Sequence, residues 1–400
     1  MIATKLKTRP SFAEFIVLIS LLMALTALSI DAMLPALPLI GRDLLVENAN
    51  ERQMVISMIF FGLAAGQLFF GPLSDSIGRK RAIYAGMATF IAGSLIAMVA
   101  TSFPMLLAGR LIQGIGASAP RAVTLALVRD QFSGRAMARV MSFVATVFIL
   151  TPMLAPSMGQ AILQFSGWRA IFGSYVVLAL AALLWFALRQ PETLPQENRT
   201  PFTLQRIVKA MQTILQNRLA LGYTITAGLV SGAFIGYLNS AQQIFQEQYA
   251  LGTLFPIYFG VIASSIGLAS LVNTRLVMNL GMRLLTRSTL LIVFVLSAIM
   301  LVGVFTLFET VPLWVFMTYL MLTFFCVGIL FGNLNSLAME PLGHVAGVGA
   351  AVVGSLSTLL SVLLGTLIGQ SYNGTIVPLV MGLGILSGVS LVVVRWAEAG

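Results

Sequence analysis

Charged residues are scarce in this 400-residue chain: they make up 9% of the sequence, whereas hydrophobic residues make up 58%. A soluble domain carries about 25% charged residues. Water is therefore not the solvent for most of the surface, and the composition excludes an ordinary soluble protein. The net charge of +10 comes from short basic clusters between apolar runs, not from one basic patch. We therefore expect no nucleic-acid partner.

Cysteine and histidine are almost absent, with Cys326 and His344 as the single residue of each type. A disulfide framework and a Cys/His metal site both need more of these residues, so we expect neither. Ser-His-Asp or Cys-His catalysis would depend on His344 alone. The sequence also lacks a phosphate-binding loop of the G-x-x-x-x-G-K-[ST] kind. These absences predict a protein without metal, cofactor or enzymatic activity.

Long apolar runs fill most of the chain. A membrane-spanning helix needs about 20 predominantly apolar residues. Only helices or closed barrels satisfy backbone polar groups in lipid, and the runs lack the alternation of barrel strands. We therefore predict an all-α membrane protein with twelve transmembrane helices, near residues 14–37, 53–70, 82–101, 104–128, 138–163, 169–188, 219–243, 255–277, 288–308, 312–335, 345–369 and 375–396.

The distribution of Lys and Arg predicts the orientation in the membrane, because cytoplasmic loops carry an excess of both. Three of the 23 basic residues fall in connections on one side, Arg42, Arg52 and Arg169, and two more, Arg110 and Arg121, fall within a span. The other eighteen share the side of the N-terminus. We therefore expect both termini in the cytoplasm of a cell whose cytoplasmic (inner) membrane holds the protein.

The longest polar connection divides the chain into two sets of six spans. We predict an N-terminal six-helix bundle over residues 1–188, a cytoplasmic linker over 189–218 and a C-terminal six-helix bundle over 219–400. Apolar residues recur at helical spacing in the second part of the linker, which predicts an amphipathic helix on the cytoplasmic face. They are Leu204, Ile207, Val208, Met211, Ile214 and Leu215.

A weak internal repeat relates the two halves. The segment Gly71–Arg81 has a counterpart displaced by 203 residues, at Thr274–Leu284, in which Gly281 matches Gly78. Met278 replaces Asp75, so the acidic residue is absent from the copy. Two halves related by duplication are typical of transporters, with the substrate site between them near the middle of the membrane.

Several segments together resemble the major facilitator superfamily. Gly71–Arg81 resembles its signature loop between spans two and three, and Arg110–Ala117 resembles the fourth-span motif of its drug:proton antiporters. Pro152–Gly159 resembles their fifth-span antiporter motif. The bicyclomycin-resistance (Bcr/CflA) branch is indicated by three further segments, Asp31–Pro38, Val128–Asp130 and Gly167–Phe172.

The resemblance implies a monomeric exporter in the lipid bilayer that exchanges protons for small amphipathic drugs or toxic compounds, by alternating access and without a cofactor. It also assigns roles to two groups of residues. A cytoplasmic gating group comprises Gly71, Asp75, Gly78, Arg79, Arg81 and Asp130. The fifth-span antiporter motif, Pro152, Pro156 and Gly159, is expected to seal the outer side.

Asp31 is the strongest candidate for proton coupling. It lies in the outer half of the first span, where an ionised carboxylate is costly unless it is paired, so we expect it to take up and release a proton. Arg110 enters the fourth span from the same side, and each lies roughly 10 Å below the outer end of its helix at 1.5 Å per residue. The two residues are therefore predicted to interact, either as a coupling pair or as a static one.

The remaining polar residues within spans are candidates for the substrate cavity. Arg121 follows Arg110 by three helical turns and shares its face. Three interpretations of Arg121 remain open: contact with a carbonyl or water, attraction of an anionic part of the substrate, or extension to the cytoplasmic interface. The other predicted cavity residues are Gln113, Asn239, Gln242 and Asn333.

Three alternatives compete with a proton-driven drug exporter. An exporter of an endogenous metabolite, including an anionic one, is favoured by Arg121. A facilitator without proton coupling is disfavoured by Asp31. A membrane-embedded enzyme is disfavoured because the sequence has neither a nucleophile motif nor a cluster of His, Cys and Asp ligands.

Overall fold

The computed structural model describes residues 10–307 and 309–399, and it is helical without strands over this range. Lys5, Lys7 and Arg9, which contribute to the predicted orientation, lie outside it. Short 3-10 or π-helical turns connect several of the α-helices. The α-helices are α1 (Phe12–Asp31), α2 (Leu37–Asp43), α3 (Met54–Ile77), α4 (Arg79–Met98), α5 (Phe103–Gln131), α6 (Gly134–Phe165), α7 (Arg169–Arg189), α8 (Leu204–Gln216), α9 (Arg218–Gln242), α10 (Phe255–Leu280), α11 (Met282–Thr306), α12 (Leu313–Met339), α13 (Ala346–Gln370) and α14 (Val377–Glu398).

The predicted all-α membrane fold is confirmed. Within the described residues, 11 helices are long and apolar enough to cross a membrane. The 32-residue α6 is not one of these 11 helices, and it occupies the position of the fifth predicted span. Large apolar side chains on these helices face outward: Val302 is 61% exposed and Val392 is 67% exposed. Such extensive apolar exposure fits a surface that lies in lipid.

Polar residues define where several helices begin. The Ser11 hydroxyl accepts a hydrogen bond from the Glu14 backbone N–H at 3.2 Å, and Glu14 accepts one in return from the Ser11 backbone, which forms a capping box before α1. The Ser102 hydroxyl caps α5 by accepting a hydrogen bond from the Met105 N–H, with Pro104 in the first turn. Asn217 caps α9.

The predicted loop at residues 71–81 is wrong in extent. α3 continues through Gly71 and Pro72 to Ile77, and α4 begins at Arg79, so Gly78 alone forms the connection. Proline lacks only its own N–H, and membrane helices tolerate that loss. Gly78 has φ +101°, a left-handed conformation that favours glycine. Its counterpart Gly281 has φ +77° at the start of α11, so the internal repeat extends to the backbone.

The helices group into two compact units. Unit 1 comprises the described residues up to Leu45 together with Met58–Val208, and unit 2 comprises Val46–Ser57 together with the described residues from Lys209 onward. α3 therefore begins in unit 2 and ends in unit 1. In unit 1, α5 packs against α4 and α1, and α1 also packs against α6 and α7. In unit 2, α9 packs against α12, α13 and α14.

The segment of the predicted linker helix forms α8. Its apolar side chains differ in exposure: Ile207 and Ile214 are buried, whereas Leu204 and Leu215 are exposed. The placement of α8 on the cytoplasmic membrane face stays a prediction.

Candidate functional site

Asp31 ends α1 and is buried within unit 1, with 5% of its surface exposed. The chain then turns through the 3-10 helix Leu34–Ala36, which contains Pro35. A carboxyl group at this position is enclosed by helices rather than solvated at a loop.

The Arg110 side chain on α5 is completely buried, and it lies near the end of α1 that contains Asp31. Its guanidinium donates to the backbone oxygen of Ser29 at 2.8 Å, two residues before Asp31, and to Gln113 Oε1 at 2.6 Å. Arg110 also lies over the Phe172 ring, with 5.8 Å between its Cζ atom and the ring centroid. α1, α5 and α7 therefore position one positive charge beside the end of α1.

Gln113 was predicted to line the cavity, but the structure places it inside the helix packing. Its side chain is completely buried. The amide nitrogen donates to the Ser94 hydroxyl on α4 at 2.8 Å, while the amide oxygen accepts from Arg110. Both ends of the amide are thus used, and Gln113 orients the guanidinium of Arg110.

Tyr175 on α7 is a member of this site that the sequence analysis missed. Its buried hydroxyl donates to the Leu28 backbone oxygen at 3.1 Å, three residues before Asp31. Trp168, Phe172 and Tyr175 pack edge to face along α7, with 6.0 and 5.9 Å between successive ring centroids. This aromatic stripe at helical spacing is the sequence signal that identifies the face of α7 at the site.

The fifth-span motif packs against the end of α1. Pro152 and Pro156 lie inside α6, and Gly159 lies one turn further along. A Cβ atom on Gly159 would come within 1.9 Å of the Ala32 backbone oxygen. Only glycine permits this approach, and Ala32 directly follows Asp31. The structure thus brings the motif next to the candidate proton carrier.

A second polar network surrounds Arg79 at the start of α4. Arg79 is 4% exposed and forms ion pairs with Asp75 and with Asp130, the latter at 3.0 Å. Its guanidinium also donates to the Ser74 hydroxyl. Four of the predicted gating residues, Asp75, Gly78, Arg79 and Asp130, therefore lie together. Gly71 lies in α3, and Arg81 is exposed without an ion pair among the described residues.

The linker supplies residues to this network that the sequence analysis missed. Glu192 accepts hydrogen bonds from the backbone N–H groups of Arg79 at 3.0 Å and Lys80 at 3.1 Å, so its carboxylate caps α4. The Thr193 hydroxyl donates to Asp130 at 3.0 Å. More than a hundred residues separate Glu192 from the start of α4, and no local sequence signal predicts such a contact.

Arg121 differs from Arg110 although both lie on one face of α5. Arg110 is enclosed by neighbouring helices, whereas Arg121 is exposed. One turn further along, the Thr124 hydroxyl is buried without a hydrogen-bond partner in the described part of the chain. Arg121 therefore lies at the surface of α5, whereas Thr124 lies inside the helix packing.

The predicted cavity residues of the second half are all buried and hydrogen-bonded within unit 2. Asn239 donates to the Gly365 backbone oxygen at 3.2 Å, and Gln242 donates to Glu247 at 3.3 Å. Asn333 exchanges two hydrogen bonds with Asn273, at 3.1 and 3.2 Å. The structure therefore places these amides in the packing between helices and not on an open wall, because a buried amide must find partners.

Comparison with known proteins supports the same conclusion as the architecture. Residues 19–366 match the Major Facilitator Superfamily. The chain is 31% identical over 367 residues to the uncharacterized MFS-type transporter YdgK of Bacillus subtilis, with 90% of each chain covered. It is 30% identical over 392 residues to the bicyclomycin resistance protein homolog of Haemophilus influenzae, with 94% of each covered.

A solved structure of the xylose transporter XylE from E. coli has the same fold. The TM-score is 0.72 at 12% sequence identity, and the superposition covers 95% of this chain and 96% of that one. The long helices, their polar sites and these relatives lead to one assignment. The chain is a multi-pass membrane transporter of small molecules, not an enzyme, and it belongs to the Major Facilitator Superfamily.

Proposed function

We propose that this protein exports small amphipathic drugs or toxic compounds across the cytoplasmic membrane in exchange for protons. The observation that carries the proposal is Asp31, a carboxyl group buried in a membrane span beside the Arg110 network. Ionisable groups within spans are retained for function, since each is costly in lipid. The name of the Haemophilus influenzae relative supports a toxic compound as the cargo.

The arrangement suggests how a proton and cargo compete. When Asp31 is protonated, the positive charge of Arg110 remains beside a neutral carboxyl group. When Asp31 releases its proton, the positive charge of Arg110, which binds the backbone oxygen two residues before Asp31, favours the carboxylate. A protein that alternates between two conformations moves cargo against protons if each ligand favours a different one. Both termini lie in the cytoplasm in this proposal, so protons enter from the outer face.

A growth-inhibition panel in a pump-deficient bacterial host tests the proposal. Expression of the protein is expected to raise the tolerated concentration of at least one amphipathic compound. Asp31→Asn keeps the size of the side chain but cannot carry a proton, so it is expected to remove that protection. Glu47→Gln is the matched control, because Glu47 is an exposed carboxylate shortly after α2. Equal protection by Asp31→Asn and the parent protein would contradict proton coupling through Asp31.

A second candidate function is export of an anionic metabolite, which exposed Arg121 favours. Within the described chain, Arg121 takes part in no ion pair. A guanidinium left available on a cavity surface attracts carboxylate or phosphate groups.

Arg121→Ala distinguishes the two cargo classes. If the cargo is anionic, the variant is expected to lose about tenfold or more in apparent affinity, since charge-assisted hydrogen bonds contribute about 1.5–3 kcal/mol. Transport of a neutral or cationic cargo is expected to change little. Arg129→Ala, an exposed residue further along α5, is the control. Uptake of labelled compounds into inverted membrane vesicles is the measurement.

A further inference from the structure

Two arginines at the start of α6 in unit 1 have no acidic partner. Arg135 and Arg139 are both exposed, and neither forms an ion pair among the residues that the structure describes. The acidic residues at the adjoining ends of α5 and α1, Asp130 and Glu14, are already paired with other arginines. Both guanidinium groups are therefore free to bind an anion from outside the chain.

The two arginines border a surface pocket of about 260 Å³. Arg135 and Arg139 are four residues apart, so they lie on one face of α6. Phe12, at the start of α1, and Ala136 complete the lining. We use the term arginine pocket for these four residues. Because two different helices line it, the packing of α1 against α6 determines its shape.

Aromatic side chains position one of the two guanidinium groups. The Arg139 Cζ atom lies 5.2 Å from the centroid of the Phe12 ring. Phe12 packs edge to face on Phe132, with 5.8 Å between the centroids, and Phe132 packs on the buried Phe15 at 5.3 Å. A cation–π contact uses the face of the guanidinium, so the N–H groups at its edge remain available to donate to an anion.

The same face of α6 becomes apolar beyond Arg139. Phe143, Leu150 and Leu154 are 47%, 45% and 64% exposed. At 3.6 residues per turn, all three lie within about 100° of Arg135 around the helix axis. We use the term apolar stripe for these three residues. Exposed apolar side chains along a membrane helix fit contact with lipid chains, so one face of α6 carries charge at its start and an apolar surface along its length.

The order of the spans places the arginine pocket on the membrane face that holds the termini. Four crossings precede the connection between α5 and α6, and Phe12 begins the first crossing. In the predicted orientation this face is cytoplasmic, and the lipid leaflet there carries anionic headgroups. A free phosphate ion would contact the guanidinium groups alone, whereas a phospholipid also covers the apolar stripe. The two features together favour a phospholipid.

We propose that the arginine pocket binds the headgroup phosphate of an anionic phospholipid, and that one acyl chain of this lipid lies along the apolar stripe. Arg135 and Arg139 donate charge-assisted hydrogen bonds to the phosphate oxygens. The binding site uses none of the residues of the Asp31 site or of the Arg79 network. The inference therefore depends neither on the cargo nor on proton coupling.

Lipid titration of the purified full chain, followed by native mass spectrometry, tests the proposal. Phosphatidylglycerol is expected to bind at least about tenfold more tightly than phosphatidylcholine with the same acyl chains. Arg135→Gln with Arg139→Gln is expected to remove this preference. Arg275→Gln with Arg395→Gln changes the net charge equally at two exposed positions in unit 2 and is the control. Equal affinity of the parent for both lipids, or equal losses in the two double variants, would overturn the proposal.

The apolar stripe separates a phospholipid from a free phosphate ion. Leu154→Asn removes apolar contact from the stripe, so phosphatidylglycerol is expected to bind about fourfold more weakly. Leu180→Asn, at an exposed position of α7, is the control and is expected to have no effect. Inorganic phosphate at the lipid concentration is expected to leave the lipid bound. Unchanged affinity in Leu154→Asn, or full displacement by inorganic phosphate, would contradict a lipid site.

Thermal unfolding in detergent provides a second measurement. Phosphatidylglycerol is expected to raise the unfolding temperature of the parent, because a ligand of the folded state stabilises it. Arg135→Lys with Arg139→Lys keeps both charges and is expected to retain part of this rise, whereas the Gln/Gln variant loses it. Without lipid, all three proteins should unfold at the same temperature, since both positions are exposed. A rise of the parent size in the Gln/Gln variant would contradict the proposal.

Discussion

Arg110 shows how neutral groups hold a buried positive charge in a membrane protein. Arg110 uses a backbone carbonyl at Ser29 and the amide of Gln113, and Gln113 is itself fixed by Ser94. A guanidinium oriented by neutral groups keeps its charge available to a nearby carboxyl group. We therefore propose that Gln113 contributes to coupling through Asp31 by orienting Arg110.

Gln113→Leu tests the role of the amide. The substitution keeps similar volume but removes the hydrogen bond to Arg110, and bonds to charged groups contribute about 1.5–3 kcal/mol. We expect proton-driven efflux to fall about tenfold, with the amount of protein in the membrane maintained. Gln160→Leu, at a half-buried position of α6, is the control. Efflux of Gln113→Leu at the parent rate would assign Gln113 to packing alone.

Helices rather than single residues determine where Asp31 lies. α6 approaches the end of α1 so closely that only glycine fits at position 159. The two prolines before it lie within α6 and leave backbone carbonyls without helical partners. The fifth-span motif therefore acts on the position of the Asp31 turn.

Gly159→Ala is expected to displace the turn after α1. Its Cβ atom would otherwise lie 1.9 Å from the Ala32 backbone oxygen. We expect proton-coupled efflux to fall at least about tenfold, since small misplacements of reacting groups have effects of this size. Gly167→Ala, with nothing within 4 Å of the new atom, is the control. Efflux from cells and protein levels in membranes are the measurements.

The linker also stabilises a neighbouring helix. Glu192 caps α4 by accepting bonds from the Arg79 and Lys80 backbones. An exposed carboxylate at a helix N-terminus contributes about 0.3–1 kcal/mol. Glu192→Gln is therefore expected to lower the unfolding temperature of the purified protein slightly. Glu197→Gln, also in the linker and exposed, should leave it unchanged. Identical unfolding temperatures for all three proteins would exclude a capping role.

A helix could be predicted from the sequence where a single physical rule determines it. Apolar length identifies the spans, and the amphipathic pattern of Leu204–Gln216 identifies α8. The short connection after α3 was not predictable. Gly71 and Pro72 together are typical of a turn, but the helix continues through them because backbone groups in lipid must be hydrogen-bonded within the helix. Gln53 hydrogen-bonds to Gln243, and Glu192 accepts a hydrogen bond from the Arg79 backbone. In each pair the two residues lie more than a hundred positions apart in sequence, and only the fold brings them together.

On the scale of the whole molecule, the polar groups are distributed unequally. Asp31, Arg110, Tyr175 and the Arg79 network all belong to unit 1, whereas unit 2 contains the hydrogen-bonded amides Asn239, Gln242 and Asn333. The internal repeat shows the same difference between the halves, because Met278 occupies the position that corresponds to Asp75.

Proton movement by the purified protein tests the central claim most directly. The protein is reconstituted into vesicles with a pH-sensitive dye inside, and cargo from the growth panel is added under an imposed pH gradient. We predict that cargo movement is accompanied by proton movement in the opposite direction. Asp31→Asn is predicted to bind cargo but to lose this coupled proton flux. Unchanged pH-driven transport by Asp31→Asn would contradict the account.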